Sequence, residues 1–410
     1  MSRHEPTDTI TDAVVLAGGE GRRLRPLTEH RPKPMLPAAN RPILERVFDA
    51  LVASGMTTLH VVVGYRHERV QDHFGTTYRG VPVRYYRQSK QLGSGHALQQ
   101  AADGVAAPFL AVNGDQLTEP RMVGDVVDAH EANGACATLG VVESEAASRY
   151  GSVTLDGTSV TTIVEREERS GSQLLNAGVY GFDEAIFDDA ARTEFDGGVL
   201  DLPDVLSTLI DGRRPVEGVR TEGYWLDATY PWDLLTVARR LLSAEGVDGS
   251  GTDGDADAAD GGVAADARVH ETAVVRPPTV VSADCEVGPG AVVGPYTALG
   301  PNVTVDANAV VSESVLGEDT RVGPNSTVER TVTGQGVRLG PECVVPAGRT
   351  DVRIGDEIHA DQRLGAVIAD RVRVVGDGSF APGSLVGPNA TVGLGARVDG
   401  TVDGGAEVVR

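Results

Sequence analysis

Residues 16–37, LAGGEGRRLRPLTEHRPKPMLP, combine a glycine-rich turn with a local excess of positive charge. A glycine turn after a strand can bring backbone N–H groups close to a phosphate, because glycine tolerates positive φ and carries no obstructing side chain. Pro32 and Pro34 hold the backbone at Lys33 extended, and an ammonium group on such a segment can stabilise charge on a phosphoryl group. The cations that follow Gly19 within fifteen residues are Arg22, Arg23, Arg25, Arg31 and Lys33. Together these features predict an anion-binding site.

The rest of the chain is strongly acidic. Its 410 residues include 59 Asp and Glu against 36 Lys and Arg, and the formal net charge is -23. This balance argues against a nucleic-acid-binding protein, which needs a broad basic face. Lys33 and Lys90 are the only lysines, and an acidic, lysine-poor surface is typical of adaptation to a high-salt cytoplasm. The cations of residues 16–37 therefore favour a small anionic ligand over a solvated basic face.

Cysteine usage and hydropathy predict a cytoplasmic protein without a membrane partner. Cys136, Cys285 and Cys343 are far apart and show no CxxC spacing, so we expect reduced thiols and neither a zinc site nor a disulfide framework. The first residues, MSRHEPTDTITD, are polar, and no apolar run approaches the length of a membrane span.

Periodicity in the first 240 residues predicts an α/β domain. The runs DAVVLAGG, TLHVVVGY, FLAVNGD and ACATLGVV are strand-like. Between the first two of them, apolar residues recur at helical spacing: Ile43, Leu44, Val47, Phe48, Leu51 and Val52. This alternation indicates a mostly parallel sheet with helices on both faces, and ligands of such sheets bind at the carboxyl ends of the strands.

The second half changes to a period of six. Aliphatic residues fall every sixth position from Val275 to Val311, and apolar residues keep the same period from Ile368 to Val398 after an irregular stretch. Such hexapeptide periodicity predicts a parallel β-helix whose triangular coils take three hexads each. The Gly- and Asp-rich residues between the halves cannot bury enough apolar surface to order themselves. We therefore predict a domain at 1–243, a linker at 244–266 and a left-handed β-helix at 267–410.

Residues 16–37 closely resemble the signature LAGGxGxRLxPLTxxxPKPxLP of the sugar-1-phosphate nucleotidylyltransferases. The resemblance extends to about residue 240 through QLGSGHALQQA, NGD, RYGSV, LLNAGVY and GYWLDATYPWDLL. It implies a Rossmann-like nucleotidyltransferase domain, and the arrangement of both halves resembles the archaeal bifunctional enzymes that add an acetyltransferase. The implied reaction is attack by a sugar-1-phosphate oxygen on the α-phosphorus of UTP or dTTP, with release of pyrophosphate.

The resemblance also implies roles for individual residues. Arg23 and Lys33 would neutralise the triphosphate, and Asp115 and Asp227 would hold Mg²⁺, which prefers carboxylate oxygens. Residues assigned to the nucleotide are Leu16, Gly18, Gly19, Gly21, Gln88 and Gly93. Residues assigned to the sugar phosphate are Gly151, Glu165, Arg166 and Asn176. His96 is interpreted as a structural hydrogen-bonding residue. Arg166 departs from the family's lysine, and Ala228 and Thr229 depart from the residues that usually follow the second aspartate.

Two other functions stay open at this point. The chain could be a catalytically silent regulatory or scaffold subunit that binds sugar nucleotides, although it retains Arg23, Lys33, Asp115 and Asp227. The β-helix could also transfer acetyl groups from coenzyme A, with His359 as the candidate base, but the second half contains no lysine and a single tyrosine, Tyr296. We favour a β-helix that lacks this activity and assembles the chain into trimers. His270 and His359 are both expected at the surface.

Overall fold

A computed structural model describes residues 9–144, 152–164, 173–195, 197–245 and 262–410. Within those ranges, no helix combines the length and the apolar character needed to cross a bilayer. The elements up to residue 245 are β1 (Asp12–Ala17), β2 (Pro37–Ala38), β3 (Arg41–Pro42), α1 (Ile43–Ala53), β4 (Thr58–Val63), α2 (His67–Phe74), β5 (Thr77–Tyr78), β6 (Val81–Arg87), α3 (Ser94–Gln99), β7 (Phe109–Asn113), β8 (Gln116–Thr118), α4 (Pro120–Asn133), β9 (Ala137–Ser144), β10 (Ser152–Asp156), β11 (Ser159–Val164), β12 (Gln173–Phe182), α5 (Ala185–Arg192), α6 (Leu202–Asp211), β13 (Val216–Arg220), β14 (Trp225–Asp227) and α7 (Asp233–Glu245).

The chain forms two compact units, each of which contains two separate stretches of the sequence. The first contains the described residues up to Glu20 together with Ile43–Leu226. The second contains Gly21–Pro42 and the described residues from Asp227 to Arg410. The division between Glu20 and Gly21 runs through the glycine-rich turn, so all five cations of residues 16–37 belong to the unit that contains the β-helix. The predicted linker at 244–266 lies mostly outside the described residues.

The first unit is built on a ten-stranded sheet with the order β10-β11-β13-β9-β12-β7-β1-β4-β6-β5. Strands β7, β1, β4 and β6 are parallel neighbours, as are β9 and β13, whereas the remaining pairs are antiparallel. The predicted α/β class is confirmed, with a mixed sheet. The parallel strands end together at Ala17, Val63, Arg87 and Asn113, which creates one ligand-binding edge in this unit.

The buried faces of this sheet explain its strand sequences. β1, β4 and β7 are buried along nearly their whole lengths, as expected for strands that are covered on both faces. Phe109 and Phe182 are fully buried on neighbouring strands, with ring centroids 6.0 Å apart. In α1, every predicted core position except Val52 is buried. The helical spacing of those residues thus identified the packing face correctly.

The β-helix consists of three parallel sheets that share one core. Sheet I contains Gly262–Val263, Thr279–Val281, Thr297–Leu299, Val315–Leu316, Val332–Thr333, Ala366–Ile368, Ser384–Val386 and Thr401–Val402. Sheet II contains Arg268–Val269, Glu286–Val287, Thr304–Val305, Arg321–Val322, Arg338–Leu339, Arg373–Val374, Thr391–Val392 and Glu407–Val408. Sheet III contains Val274–Val275, Val292–Val293, Val310–Ser312, Thr327–Glu329, Val344–Val345, Ser379–Phe380 and Arg397–Val398.

All variation in coil length occurs at one edge of the β-helix. The steps from sheet I to sheet II and from sheet II to sheet III are six residues throughout, as in Val281, Val287 and Val293. The step from sheet III to sheet I shortens to five residues from Val311 to Leu316. The stretch between the two hexad runs is therefore mostly regular coil. It breaks the hexad pattern because the step from sheet III to sheet I is one residue shorter in each of two coils.

A hairpin inserted at the same edge accounts for the rest of that stretch. It pairs Gly348–Ile354 with Glu357–Leu364, between the sheet III residue Val345 and the sheet I residue Ile368. Sheet I is also buried on its outer surface: Val280, Ala298, Val315, Val332, Val367 and Leu385 are all at most 4% exposed. Helix α7 packs against its strands Thr297–Leu299 and Val315–Leu316. The β-helix thus uses one face to hold other parts of its own unit.

Candidate active site

In the first unit, Gly18 lies directly after β1 at the ligand-binding edge. A Cβ atom at this position would lie 2.7 Å from Gln88 Oε1, so a larger residue would displace that amide. The carbonyl of Gly18 accepts hydrogen bonds from Gln91 Nε2 at 3.1 Å and from the Tyr65 backbone N–H at 3.2 Å. The end of β1 is therefore held to two neighbouring loops. Gln91 was not among the predicted site residues.

Gln88 anchors the loop that contains Gly93. Its side chain is 5% exposed, and its Nε2 donates to Gly93 O at 3.0 Å and lies 3.0 Å from His96 Nδ1. His96 thus has the hydrogen-bonding position that its interpretation requires. Gly93 adopts φ +98°, and the backbone of Leu200 occupies the space that a side chain would need. The absence of a side chain at Gly93 is therefore a packing requirement of this loop.

Leu16 and Asp115 lie at the ends of the neighbouring strands β1 and β7, Leu16 within β1 and Asp115 just after β7. Leu16 pairs with Asn113 in the parallel register of β1 and β7, and the Gly114 backbone N–H donates to Leu16 O at 2.9 Å. Asp115 follows in this turn and is half-buried. Asn113 Nδ2 donates to Gln116 Oε1 at 2.9 Å, which fixes the other side of the turn. This unit therefore places Gly18 and Asp115 after neighbouring strands.

One of the four predicted sugar-binding residues lies in the described part of the chain. Asn176 is half-buried in β12, where its Nδ2 donates to Tyr180 Oη at 2.8 Å and its Oδ1 accepts from the Gly178 N–H at 3.1 Å. Both contacts lie where the register of β12 against β9 shifts, between Asn176 and Tyr180. The Asn176 amide thus stabilises an irregularity of its own strand. Gly151, Glu165 and Arg166 lie outside the described residues.

In the second unit, Lys33 forms an ion pair with Asp227. Lys33 Nζ lies 2.5 Å from Asp227 Oδ1, and the two side chains are 12% and 5% exposed. Thr229 Oγ1 donates to the other carboxylate oxygen at 2.7 Å. Thr229 is one of the residues that depart from the family pattern, and its hydroxyl forms a hydrogen bond with Asp227. Because the pair is nearly buried, salt screens its attraction less than that of a surface pair.

Gly21 shapes the segment that carries Lys33. It adopts φ +66°, and a Cβ atom there would lie 2.8 Å from Lys33 Cβ. Thr28 Oγ1 donates to Gly21 O at 2.8 Å, which closes the loop between them. Arg23 is exposed within the short 3-10 helix Arg22–Leu24. The segment therefore holds Lys33 inward while the side chain of Arg23 faces solvent.

An aromatic cluster follows Asp227 in the same unit. The rings of Tyr230 and Trp232 stack with centroids 5.0 Å apart, and the His359 ring lies 4.2 Å from Tyr230 and 5.3 Å from Trp232. Burial, followed by the negative charge of Glu357, raises the pKa of Tyr230. His359 belongs to the inserted hairpin and is only 18% exposed, so its expected surface position is wrong. His270 is exposed, as expected.

The carboxylates of Asp115 and Asp227 are each of the donor type that Mg²⁺ prefers. Among the described residues there is no group of three or more His, Cys, Asp or Glu side chains placed to hold a metal. Mg²⁺ in phosphate-transfer sites is commonly held by one or two carboxylates together with substrate phosphates. Both Asp227 oxygens already accept hydrogen bonds, from Lys33 and Thr229. Each carboxylate oxygen has a second lone pair, through which Asp227 would hold the ion.

Comparison with known proteins identifies the family. A sequence profile described as "Nucleotidyl transferase" matches residues 12–244, more than half of the chain. The chain belongs to the nucleotidyl transferase family. In this nucleotidyl transferase, a second profile, described as "GMPPB C-terminal domain", matches residues 261–349. That match covers the beginning of the β-helix and ends at the inserted hairpin.

Relatives of this nucleotidyl transferase include archaeal proteins. It is 38% identical over 233 residues to the UTP–glucose-1-phosphate uridylyltransferase AglF of Haloferax volcanii, an alignment that covers 56% of this chain and 96% of AglF. It is 34% identical over 233 residues to the bifunctional protein GlmU of Methanocaldococcus jannaschii, which covers 56% of this chain and 54% of that relative. The chain therefore spans about half the length of this bifunctional relative.

Solved structures share the fold of the first part of the nucleotidyl transferase. A UDP-glucose pyrophosphorylase from Acinetobacter baumanii superposes with a TM-score of 0.51 at 21% identity, which covers 57% of this chain and 94% of that one. A UDP-glucose pyrophosphorylase complexed with UDP-glucose gives a TM-score of 0.52, also at 21% identity, over 58% of this chain and 100% of that one.

Proposed function

We propose that this chain is a Mg²⁺-dependent sugar-1-phosphate nucleotidyltransferase that uses UTP or dTTP. Its acceptor is glucose-1-phosphate or N-acetylglucosamine-1-phosphate, and its products are a nucleotide sugar and pyrophosphate. The observation that carries the proposal is the nearly buried Lys33–Asp227 pair, which gives two of the proposed catalytic and metal-binding groups a defined geometry. The name of AglF makes UTP and glucose-1-phosphate the first substrates to test.

The reaction needs charge neutralisation and positioning more than it needs a general base. An anionic oxygen of the sugar phosphate forms a bond to the α-phosphorus, the bond from that phosphorus to the bridging oxygen breaks, and pyrophosphate leaves with the electron pair. Lys33 and Arg23 offset the negative charge of the triphosphate, and Gly18, Gly19 and Gly21 allow its close approach to the backbone. Leu16, Gln88 and Gly93 are proposed on the nucleotide side of the site.

Asp115 and Asp227 are the proposed magnesium ligands. When bound, Mg²⁺ supplies positive charge beside phosphate oxygens. Asp227 would hold the ion through its carboxylate, and the ammonium group of Lys33 beside it would offset negative charge on the triphosphate. Gly151, Glu165, Arg166 and Asn176 are proposed for the sugar phosphate.

The β-helix is proposed to assemble the chain into homotrimers. On the outer surface of sheet III, Val274, Val292 and Val310 follow one another in register, and Thr327 and then Val344 come next in the same row. Val274 and Val344 are 47% and 45% exposed. Such a valine ladder is suited to burial against another copy of the chain. Light scattering that gives the 42.8 kDa mass of one chain would contradict this assembly. The three free cysteines fit the proposed cytoplasmic setting.

Pyrophosphate release tests the activity directly. The purified chain is mixed with Mg²⁺ in high salt, each nucleoside triphosphate and a panel of sugar-1-phosphates. We expect release with UTP or dTTP, and we expect Asp115→Asn to reduce it at least a hundredfold, since a metal ligand is lost. Asp128→Asn, on the outside of α4, is the matched control. An absence of release with every substrate pair would favour a silent sugar-nucleotide-binding subunit.

A further inference from the structure

An ion pair joins the β-helix to Gly21–Pro42, called here the cationic segment, at a position two residues before Lys33. Arg31 Nη2 lies 2.6 Å from Asp370 Oδ1, and the two side chains are 14% and 4% exposed. Asp370 directly follows Ala369, after the sheet I strand Ala366–Ile368. The two residues are 339 positions apart and belong to the same compact unit.

Asp370 depends strongly on Arg31 for its charge balance. Its Oδ1 also accepts a hydrogen bond from the Gln335 backbone N–H at 2.9 Å. Its Oδ2 is buried without a hydrogen-bond partner in the part of the chain that the structure describes. A nearly buried carboxylate with so few donors is costly unless a cation neutralises it. The position of Arg31 is therefore strongly constrained by the β-helix.

This constraint extends to Lys33 because the intervening backbone is rigid. Pro32 is the only residue between them, with φ -75° and ψ 156°, and Pro34 follows in the short 3-10 helix Lys33–Met35. The backbone bonds Met35 N–H to Pro32 O at 3.0 Å and Leu36 N–H to Lys33 O at 2.9 Å hold this turn. Fixing Arg31 thus fixes the backbone from which the Lys33 side chain reaches Asp227.

Two further contacts attach the same segment to the β-helix. Arg371 Nη2 lies 3.2 Å from His30 Nδ1, and Asn40 Nδ2 donates to Ser282 Oγ at 3.0 Å. Arg371 is itself held by a bond from its Nε to Asn389 Oδ1 at 3.0 Å. The segment is therefore attached to the β-helix at His30 and Arg31, which lie two or three residues before Lys33, and at Asn40, near the end of the segment.

We propose that Asp370 is a positioning residue for Lys33, and that it acts through Arg31. The β-helix then contributes to nucleotidyl transfer without touching the substrate, by setting where the ammonium group of Lys33 meets Asp227 and the triphosphate. This inference rests on the proposed function for its catalytic consequence. Its structural part, the restraint of the segment by Asp370, can be tested separately.

The kinetic test compares Asp370→Asn with the full-length wild-type chain. We expect kcat to fall about tenfold, with the KM for the sugar phosphate nearly unchanged, because charge neutralisation at the α-phosphate is lost. In a Lys33→Met background, Asp370→Asn should cause no further loss, since both changes act through the same ammonium group. Glu318→Gln is the control, because Glu318 occupies the equivalent turn two coils earlier.

A second variant guards against misfolding. Arg31→Met combined with Asp370→Asn removes both charges, so no unpaired charge stays buried. We expect the same loss of kcat in this double variant. The conservative single variant Arg31→Lys, with Asp370 intact, should keep most of the wild-type kcat. A wild-type kcat in the folded double variant would overturn the proposal. The proposal would also be overturned if Asp370→Asn lowered kcat further in the Lys33→Met background.

Hydrogen exchange of the substrate-free protein separates this inference from the proposed activity. We expect the amides of residues 24–36 to exchange about tenfold faster in Asp370→Asn than in the wild type or in Glu318→Gln, since the restraint on this segment is lost. Unchanged exchange would overturn the positioning role. If the wild-type chain releases no pyrophosphate, the proposed function fails, and the exchange result still decides whether Asp370 restrains the segment.

Discussion

Lys33 Nζ contacts Asp227 Oδ1 at 2.5 Å across 194 residues of sequence, in a region where the two side chains are at most 12% exposed. The contact joins the signature segment to the residue that precedes Ala228 and Thr229. It also gives the lysine a carboxylate partner in the absence of substrate. With the proposed triphosphate and Mg²⁺ bound, both groups would have partners of opposite charge.

Lys33→Met should reduce kcat/KM for pyrophosphate release by about a hundredfold to a thousandfold, because a preorganised cation beside the phosphates is lost. The measurement is steady-state kinetics with saturating Mg²⁺. Arg397→Met is the control, since it removes one positive charge from an exposed position of sheet III. Equal rates in Lys33→Met and Arg397→Met would rule out a direct role of Lys33.

Gly21→Ala should reduce activity and destabilise the segment. The residue has positive φ, and the new methyl group would collide with Lys33 Cβ. We expect about 1–3 kcal/mol less stability in denaturant unfolding, together with a lower kcat. Gly124→Ala in α4 is the control, because nothing lies within 4 Å of its Cβ position. In that helix alanine should be stabilising by about 0.5–1 kcal/mol.

The free energy of unfolding should decrease as the pH falls below about 6.5, where a histidine in the unfolded chain becomes protonated. Burial lowers the pKa of His60, which is fully buried between Asp12 and Tyr86, so the folded chain binds its proton only at lower pH. Each such histidine contributes a slope of up to about 1.4 kcal/mol per pH unit between the unfolded and folded pKa values.

Urea unfolding between pH 7.5 and pH 5 measures this dependence. Burial also lowers the pKa of His130, so His60→Gln should remove only part of the slope. Above pH 7 both histidines are neutral in either state, and the stability of the wild type should be nearly constant there. A stability that rose on acidification would contradict the expected burial of neutral imidazoles.

Val293→Ala should cost about 2 kcal/mol of stability, because two methyl groups leave the core of the β-helix and a cavity remains. Val292, the preceding residue, points outward from sheet III and is only half-buried. Val292→Ala should cost less than 1 kcal/mol in the same unfolding experiment. A comparable cost at the two positions would show that the inward and outward assignments within this strand are incorrect.

Local patterns were sufficient to predict the main elements of the fold. The spacing of Ile43, Val47 and Leu51 identified the packing face of α1, and the hexads identified the inward residues of the β-helix. The pattern missed Leu316 and Val328 because a single residue is absent from the edge that precedes Leu316. Both residues are nevertheless fully inside the common core, since the other two edges preserve the six-residue step.

The contacts that join distant segments could not be predicted in this way. Nothing in the local sequence around Asp370 distinguishes it from the other acidic residues in the turns of the β-helix, and its partner Arg31 lies in a variable position of the family signature. Their pairing follows from the packing of Gly21–Pro42 with the second unit. Similarly, Thr229 was recognised as a departure, but its hydrogen bond to Asp227 depends on the conformation of one turn.

The confinement of length changes to the edge between sheets III and I makes that edge the place where the β-helix can acquire new parts. At the other two edges, the step between inward-facing residues is six in each of the described coils. At the variable edge, 22 residues separate Val345 from Ile368, and both of these residues belong to the same hydrophobic core. The β-helix therefore has two edges of constant length and one edge of variable length. The hairpin that carries His359 lies at the variable edge, where it extends the chain without interrupting the core.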